Sequence, residues 1–184
     1  MNLTLSWDLV AIVFFALIVT YTFIIGRSES VKIMLASYIA IIAVQALGNA
    51  LQRFFGQGSI VADYVGFTVD SFLLSVTKLT LFIAIIIFLT VRAGFHVQYK
   101  KEPNQIVGMV ITGLFGFATA GLLLSTLLTY ISGLPLLDMK IATTASLSPI
   151  IKQSPLMEFM IVNQDLWFAL PAVLLGVTGF LHNA

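Results

Sequence analysis

The sequence predicts an all-α fold, a bundle of helices that cross a lipid bilayer. Of its 184 residues, 59% are hydrophobic and only 9% are charged, and the mean hydropathy is +1.05. A soluble domain carries about a quarter charged residues, so this chain has too much apolar surface for a water-soluble monomer. The lipid bilayer is therefore the first predicted partner, because lipid or a very large protein interface must cover that surface.

Charged residues divide the chain into uncharged runs that predict five spans. A helix rises about 1.5 Å per residue, so roughly 20 residues cross a hydrocarbon core of about 30 Å. The alternative is four spans and a half-inserted C-terminal helix, because the last run is short and contains Pro171. The predicted spans are 7–25, 31–51, 71–91, 106–130 and 166–181.

The first predicted span is expected to stay in the protein and to begin outside the cell. A signal peptide starts with a positive segment, but residues 1–7 contain no Lys or Arg.

Lys and Arg are enriched in cytoplasmic loops, and five such residues on one side of the membrane against three on the other predict an external N-terminus. The five are Arg27, Lys32, Arg92, Lys100 and Lys101, and the three are Arg53, Lys140 and Lys152.

The second predicted span carries a polar stripe. Its members are separated by seven, four and three residues, which places them on one side of a helix. Polar groups in lipid need partners. The stripe therefore predicts hydrogen bonds to another helix, in this chain or in a second copy, or else a water-filled solute path. The stripe consists of Tyr38, Gln45, Asn49 and Gln52.

The third predicted span is interrupted by one charge, Lys78, with Ser71 and Ser75 on the same helical face. An ammonium within a span costs about 2.5–3.5 kcal/mol on insertion scales. Lys78 therefore predicts either an ion or solute site, or a lysine whose stem reaches the headgroups. We expect the face of Ser71, Ser75 and Lys78 to pair with the polar stripe of the second span.

Small residues recur every four positions in the fourth predicted span. This small-xxx-small pattern lets two helix backbones approach closely. It predicts a helix-packing interface, either within the chain or between copies in a homo-oligomer. The residues are Gly108, Thr112, Gly116 and Ala120.

Two segments between spans, 57–68 and 134–165, are predicted to be ordered at the membrane interface. The first has apolar residues at helical spacing. The second contains two Ser-Pro pairs that fit helix starts, with serine as N-cap and proline as the first helical residue. The pairs are Ser148-Pro149 and Ser154-Pro155. The apolar face expected for the second short helix consists of Leu156, Phe159 and Met160.

The composition disfavours several classes of function. A net charge of +1 without a basic stripe argues against nucleic-acid binding, and the absence of Cys excludes disulfides and thiolate chemistry. The acidic residues lie at span ends or in loops, and the chain has two His. The sequence therefore predicts no metal site, no cofactor and no intramembrane enzyme.

In the order of its features, the chain resembles the colicin V production protein family, the CvpA-like proteins. The resemblance covers about residues 7–130 in pieces. It rests on Trp7-Asp8 before the first span, Gly26-Arg27 in the short turn, and the repeat of small residues after Asn104. It implies a bacterial inner-membrane protein, an accessory or scaffold in envelope homeostasis or in the export of small secreted proteins.

The expected function is therefore non-enzymatic and of this accessory type. Its expected partners are the lipid bilayer, a second copy of the chain and another envelope membrane protein. The alternative is a small-solute or ion channel or transporter built around Gln45, Asn49, Ser75 and Lys78.

Overall fold

The computed structural model describes residues 7–56, 70–92, 105–134, 136 and 154–183. All regular structure in these ranges is helical, which confirms the predicted fold class. The helices are α1 (Trp7–Ile25), α2 (Arg27–Phe55), α3 (Ser71–Arg92), α4 (Gln105–Ser132), α5 (Pro155–Val162) and α6 (Gln164–Asn183). The interfacial segment predicted over 57–68 and the helix start predicted at Ser148-Pro149 lie outside the described residues.

Helices α1 to α4 are each long and apolar enough to cross a bilayer. Helices α5 and α6 are bent by 69° at their junction and amount to a fifth span only when they are taken together. The described helices therefore provide four spans, or five if α5 and α6 cross together, and these are the two alternatives that the sequence predicts. Between α1 and α2 the chain reverses at Gly26 alone, whose φ of +83° is a conformation that favours glycine.

Helix α4 is the centre of the bundle. It contacts each of the other five described helices, and most extensively α1. Small side chains make this possible: a Cβ added to Gly116 would lie 3.0 Å from Cβ and Oγ1 of Thr22 in α1. On another side of α4, Gly121 lies directly against the ring of Trp167 in α6. Because small residues expose the backbone of α4 on several sides, other helices can pack closely around it.

Helices α1 and α3 leave most of their surface uncovered by the chain itself. Only 11% of the residues in the most apolar part of α1, and 6% in that of α3, are buried inside the chain. Apolar surface of this extent needs lipid or another protein as its surroundings.

One end of the bundle gathers the N-terminal ends of α1, α3 and α6 and the C-terminal ends of α2 and α4. Near the start of α1, Asp8 accepts hydrogen bonds from Ser154 Oγ (2.5 Å) and from the backbone N–H of Leu156 in α5 (3.2 Å). The start of α6 is attached to the end of α4 through a hydrogen bond between Gln164 and Thr129. We call this end of the bundle the Asp8 side.

Helix α5 begins as predicted, and its buried face includes part of the predicted apolar face. Ser154 is its N-cap and accepts a hydrogen bond from the Met157 N–H at 3.1 Å. Of the predicted apolar face, Met160 is buried and Phe159 is 52% exposed on the surface of the bundle. The contacts of Asp8 with Ser154 and with the Leu156 N–H connect the first turn of α5 to α1. The buried residues are Met157, Met160 and Ile161, and Leu156 packs partly buried beside them.

Candidate functional site

The third helix and the end of the second meet at a cavity of about 250 Å³ on the Asp8 side. It lies where three helices end, at the last turns of α2, the first turns of α3 and the C-terminus of α4. Its walls combine polar side chains with two leucines. The lining residues are Gln52, Leu74, Ser75, Lys78, Tyr130, Gly133 and Leu134.

Lys78 enters the cavity across the backbone of α2. A Cβ added to Gly48 would meet Cγ, Cδ and Cε of Lys78, so the lysine stem lies directly on the glycine. Side chains on a helix point toward its N-terminus, and α3 begins seven residues before Lys78, about 10 Å along the axis. The stem therefore runs toward the Asp8 side while it stays in contact with protein. This geometry combines contact with protein along the stem and an ammonium directed toward the Asp8 side.

The ammonium of Lys78 has no acidic partner in the part of the chain that the structure describes. Lys32, near the opposite end of α2, forms an ion pair with Glu29 at 3.3 Å. An ammonium in a membrane protein is stabilised by water, by protein polar groups or by an anion. Because no described carboxylate contacts the Lys78 ammonium, water, neutral polar groups or an anion would have to stabilise it.

Tyr130 forms the inner wall of the cavity. Its side chain is 2% exposed, and its ring packs edge-on against Phe82 with the centroids 5.5 Å apart. Its hydroxyl is buried and has no hydrogen-bond partner among the described residues. A buried polar group without a partner costs about 1–3 kcal/mol. A ligand that accepts a hydrogen bond from Tyr130 would recover that free energy.

The end of α4 shapes the rim of the cavity through a Schellman turn. The Leu134 N–H donates to the carbonyl of Thr129, and the Gly133 N–H donates to that of Tyr130, both at 3.2 Å. Gly133 has a φ of +66°, as this turn requires. A Cβ at Gly133 would also lie 3.0 Å from Ser75 Oγ. Glycine at this position therefore lets α3 approach the end of α4.

The polar stripe of α2 reaches the Lys78 face at one end only. Gln52 lines the cavity with Ser75 and Lys78, whereas Tyr38 donates a hydrogen bond to the carbonyl of Phe168 in α6. The stripe divides because α2, with 29 residues, packs on different neighbours along its length. The other members lie away from the cavity: Gln45 is half-buried and Asn49 is exposed. The backbone of Ser71 begins α3, but its side chain lies outside the described part of the structure.

The small residues of α4 serve contacts within the chain at the middle of the helix. Gly116 and Ala120 are buried, and Gly116 faces Thr22 of α1. Gly108 and Thr112 are partly exposed, and the Thr112 hydroxyl donates to the Gly108 carbonyl at 2.8 Å. Intramolecular packing is one of the two roles that the sequence predicts for this pattern.

A second polar cluster, which the sequence reasoning missed, joins α4, α5 and α6. Gln164 Nε2 donates to Thr129 Oγ1 at 2.7 Å, and Ser125 Oγ donates to the carbonyl of Met160 at 3.2 Å. Both hydroxyl residues are fully buried. The available signal was the spacing of four between Ser125 and Thr129 inside an apolar span, with Gln164 just before the last span.

No family model matches the sequence, and neither the curated proteins nor the solved structures show a match. The class of the protein is therefore defined by its own fold. It is a multi-pass α-helical membrane protein with four spans, or five if the bent pair of α5 and α6 crosses as one. Within the described ranges, no three side chains of His, Asp or Glu are placed to hold a metal ion.

Proposed function

We propose that this chain is a non-enzymatic membrane protein that binds a small polar solute in the cavity at Lys78, as part of a channel or transporter. One observation carries the proposal: Lys78 and Tyr130 line the same cavity, and neither the Lys78 ammonium nor the buried Tyr130 hydroxyl has a hydrogen-bond or ionic partner among the described residues. Polar groups within a span usually face a partner or a water-filled space. The walls of this cavity supply donors for a solute.

The polar groups of the cavity suit binding better than catalysis. Lys78 and Tyr130 are donors at neutral pH, and Gln52 offers an amide. General acid–base catalysis needs a positioned base as well, and the lining residues that the structure describes include no carboxylate or imidazole. The donors would hold a solute in place without abstracting a proton from it.

We place the protein in the bacterial inner membrane with its N-terminus outside. The distribution of Lys and Arg supports this orientation, and the resemblance to CvpA-like proteins supports the compartment. Because the cavity lies on the Asp8 side, near the start of α1, it would open toward the outside of the cell.

A thiol-labelling experiment tests the proposal, because the chain has no native Cys. Single variants Lys78→Cys, Gln45→Cys and Asn49→Cys are treated with a membrane-impermeant reagent, first on intact cells and then on inverted vesicles. Ile42→Cys is the control, since Ile42 is 71% exposed on the apolar surface of α2. We expect position 78 to react from the outside and position 42 to stay unlabelled.

The three target positions separate a binding cavity from a continuous path. Labelling at 78 alone indicates a cavity that is closed toward the other side. Additional labelling at 45 and 49 indicates a water path along α2. No labelling at 78 from either side contradicts the proposed function, and labelling from the inside alone contradicts the orientation.

An accessory or scaffold role in envelope homeostasis or export is the second candidate. It is favoured by the uncovered face of α1, which forms a shallow apolar groove of about 390 Å³ that includes Leu17 and Tyr21. A photo-crosslinking residue at Leu17, which is 64% exposed, would form a protein adduct of defined mass in cells. The same residue at Ile87 on α3 is the control. Lipid adducts alone at Leu17 would argue against this role.

A further inference from the structure

We propose that the cavity at Lys78 binds the phosphate group of a small organic phosphate. Lys78 supplies the charged contact, and Tyr130 and Gln52 supply neutral hydrogen bonds. The inference rests on the proposed solute-binding function and names the class of solute. The phosphate could belong to a soluble ester or to a lipid headgroup, which share this chemistry and are separated by the experiment below.

The charge of the site selects an anion. In the part of the chain that the structure describes, Lys78 has no carboxylate partner and no acidic side chain lines the cavity. Arg53, exposed at the end of α2 one residue after Gln52, adds a second positive charge on the same side. Asp70 lies just before α3, two turns from Lys78 along the helix, and is the acidic residue nearest to Lys78 in the α3 sequence. Among the described lining residues, Lys78 therefore supplies the one charge, and that charge is positive.

The arrangement of donors favours a tetrahedral group over a planar one. A carboxylate is matched by the planar fork of an arginine, whereas a lysine binds phosphate as a point charge. In this cavity the donors stand on three different helices: Gln52 on α2, Lys78 on α3 and Tyr130 on α4. Donors that approach from three directions match oxygens that also point in different directions.

The size and position of the cavity suit a headgroup-sized ligand. Its volume of about 250 Å³ corresponds to roughly eight water molecules at about 30 Å³ each, and lies below the range of about 300–1,000 Å³ for drug-sized ligands. It lies at the ends of three helices, where a bundle that crosses the bilayer would meet the polar headgroups. Leu74 and Leu134 supply apolar wall for the carbon atoms of an ester.

Binding of sn-glycerol 3-phosphate to the purified full chain tests the inference. One arm titrates the soluble ester into protein in phosphatidylcholine nanodiscs and measures the dissociation constant by calorimetry. The second arm replaces part of the phosphatidylcholine by phosphatidylglycerol and measures retained lipid by native mass spectrometry. Saturable binding in the first arm identifies a soluble ester, and selective retention in the second identifies a lipid headgroup. Glycerol is the neutral analogue in the first arm.

Variants locate the binding. We expect Lys78→Met to weaken binding roughly 10- to 100-fold, as for loss of a hydrogen bond to a charged group, and Tyr130→Phe to weaken it by about 3- to 10-fold. Lys32→Met and Tyr21→Phe are the matched controls, because Lys32 pairs with Glu29 and Tyr21 is 49% exposed on α1. Both controls should bind as the parent protein does. Thermal unfolding verifies that each variant is folded. If Tyr130→Phe does not fold, the binding measured for Lys78→Met alone tests the inference.

The inference is overturned if neither arm shows binding, or if Lys78→Met binds as tightly as the parent protein. Equal affinity for glycerol and glycerol 3-phosphate would also overturn the assignment of a phosphate, while it would leave solute binding in place. Thiol labelling at position 78 does not depend on any ligand. A labelled cavity that binds no phosphate therefore contradicts this inference and keeps the proposed function.

Discussion

The aliphatic stem of Lys78 rests on Gly48 of the neighbouring helix, with no room for a side chain beneath it. The contact fixes where the lysine crosses α2 without using a hydrogen bond. It also makes a single glycine responsible for the position of the ammonium in the cavity.

Replacing this glycine should move the lysine without unfolding the bundle. In Gly48→Ala the new Cβ would overlap the Lys78 stem, which is the flexible part of a long side chain and can turn away. We expect binding of glycerol 3-phosphate to weaken several-fold while the melting temperature changes little, since alanine also favours the helix. Gly176→Ala, where nothing lies within 4 Å, is the control. Unchanged binding in Gly48→Ala would show that the stem contact does not position the ammonium.

The contact between Gly121 and Trp167 should be far less tolerant. A Cβ at Gly121 would overlap the indole ring, which is held among aromatic rings that include Phe15 and Phe117 at centroid distances of 5.8 and 5.7 Å. Gly121→Ala should lower the free energy of unfolding by about 1–3 kcal/mol, the usual range for overpacking. Thermal unfolding in detergent measures this change. Gly176→Ala again serves as control and should be neutral or slightly stabilising.

The packing of α4 on α1 predicts how Gly116→Leu behaves. The added side chain would push against Thr22, so α1 should separate from α4 and the melting temperature should fall by several degrees. The mass in detergent should stay that of the parent protein if this glycine serves contacts within the chain. A change in oligomeric mass with an unchanged melting temperature would instead assign Gly116 to an interface between copies. Gly113→Ala is the milder control, because its Cβ would be 3.3 Å from the ring of Phe23.

The buried cluster at the start of α6 can be tested with two nearly isosteric changes. Thr129→Val removes the acceptor of the Gln164 amide, whose bond is 2.7 Å long, and should destabilise the protein by about 1–3 kcal/mol. Thr126→Val is the matched control, since that buried hydroxyl donates to the carbonyl of Leu122 in its own helix. Chemical denaturation compares the two. If both variants lose the same free energy of unfolding, the hydrogen bond between Gln164 and Thr129 contributes no stability beyond that of a hydroxyl–backbone hydrogen bond.

The sequence predicts the helices of this protein better than its site. Runs without charge define the spans, but α2 extends four residues beyond its prediction at each end, from Arg27 to Phe55. The charges of Arg27 and Arg53 predict span boundaries, but both residues are helical, because a long basic side chain on a helix can still reach water. Charge patterns therefore locate the apolar core of a span and not the ends of its helix.

The site was predicted in part, for a similar physical reason. Lys78, Ser75 and Gln52 stand out because polar residues are costly in lipid, and they line the cavity. In the sequence, Tyr130 is only an aromatic residue at a span end and Gly48 only an isolated glycine, so neither is marked as part of a site. Their roles arise only when α2, α3 and α4 come together, and helical spacing within one segment carries no information about that arrangement.

The pairing of α1 with α4 has a consequence for how the protein is made. The end of α1 at Ile25 and the start of α4 at Gln105 are 80 residues apart in the chain (105 minus 25). At a synthesis rate of about 5–20 residues per second, roughly 4–16 s pass before the main partner of α1 begins to appear. During that time α1 has to persist as a helix surrounded mainly by lipid, which suits a surface that is mostly uncovered and carries no charge after Asp8.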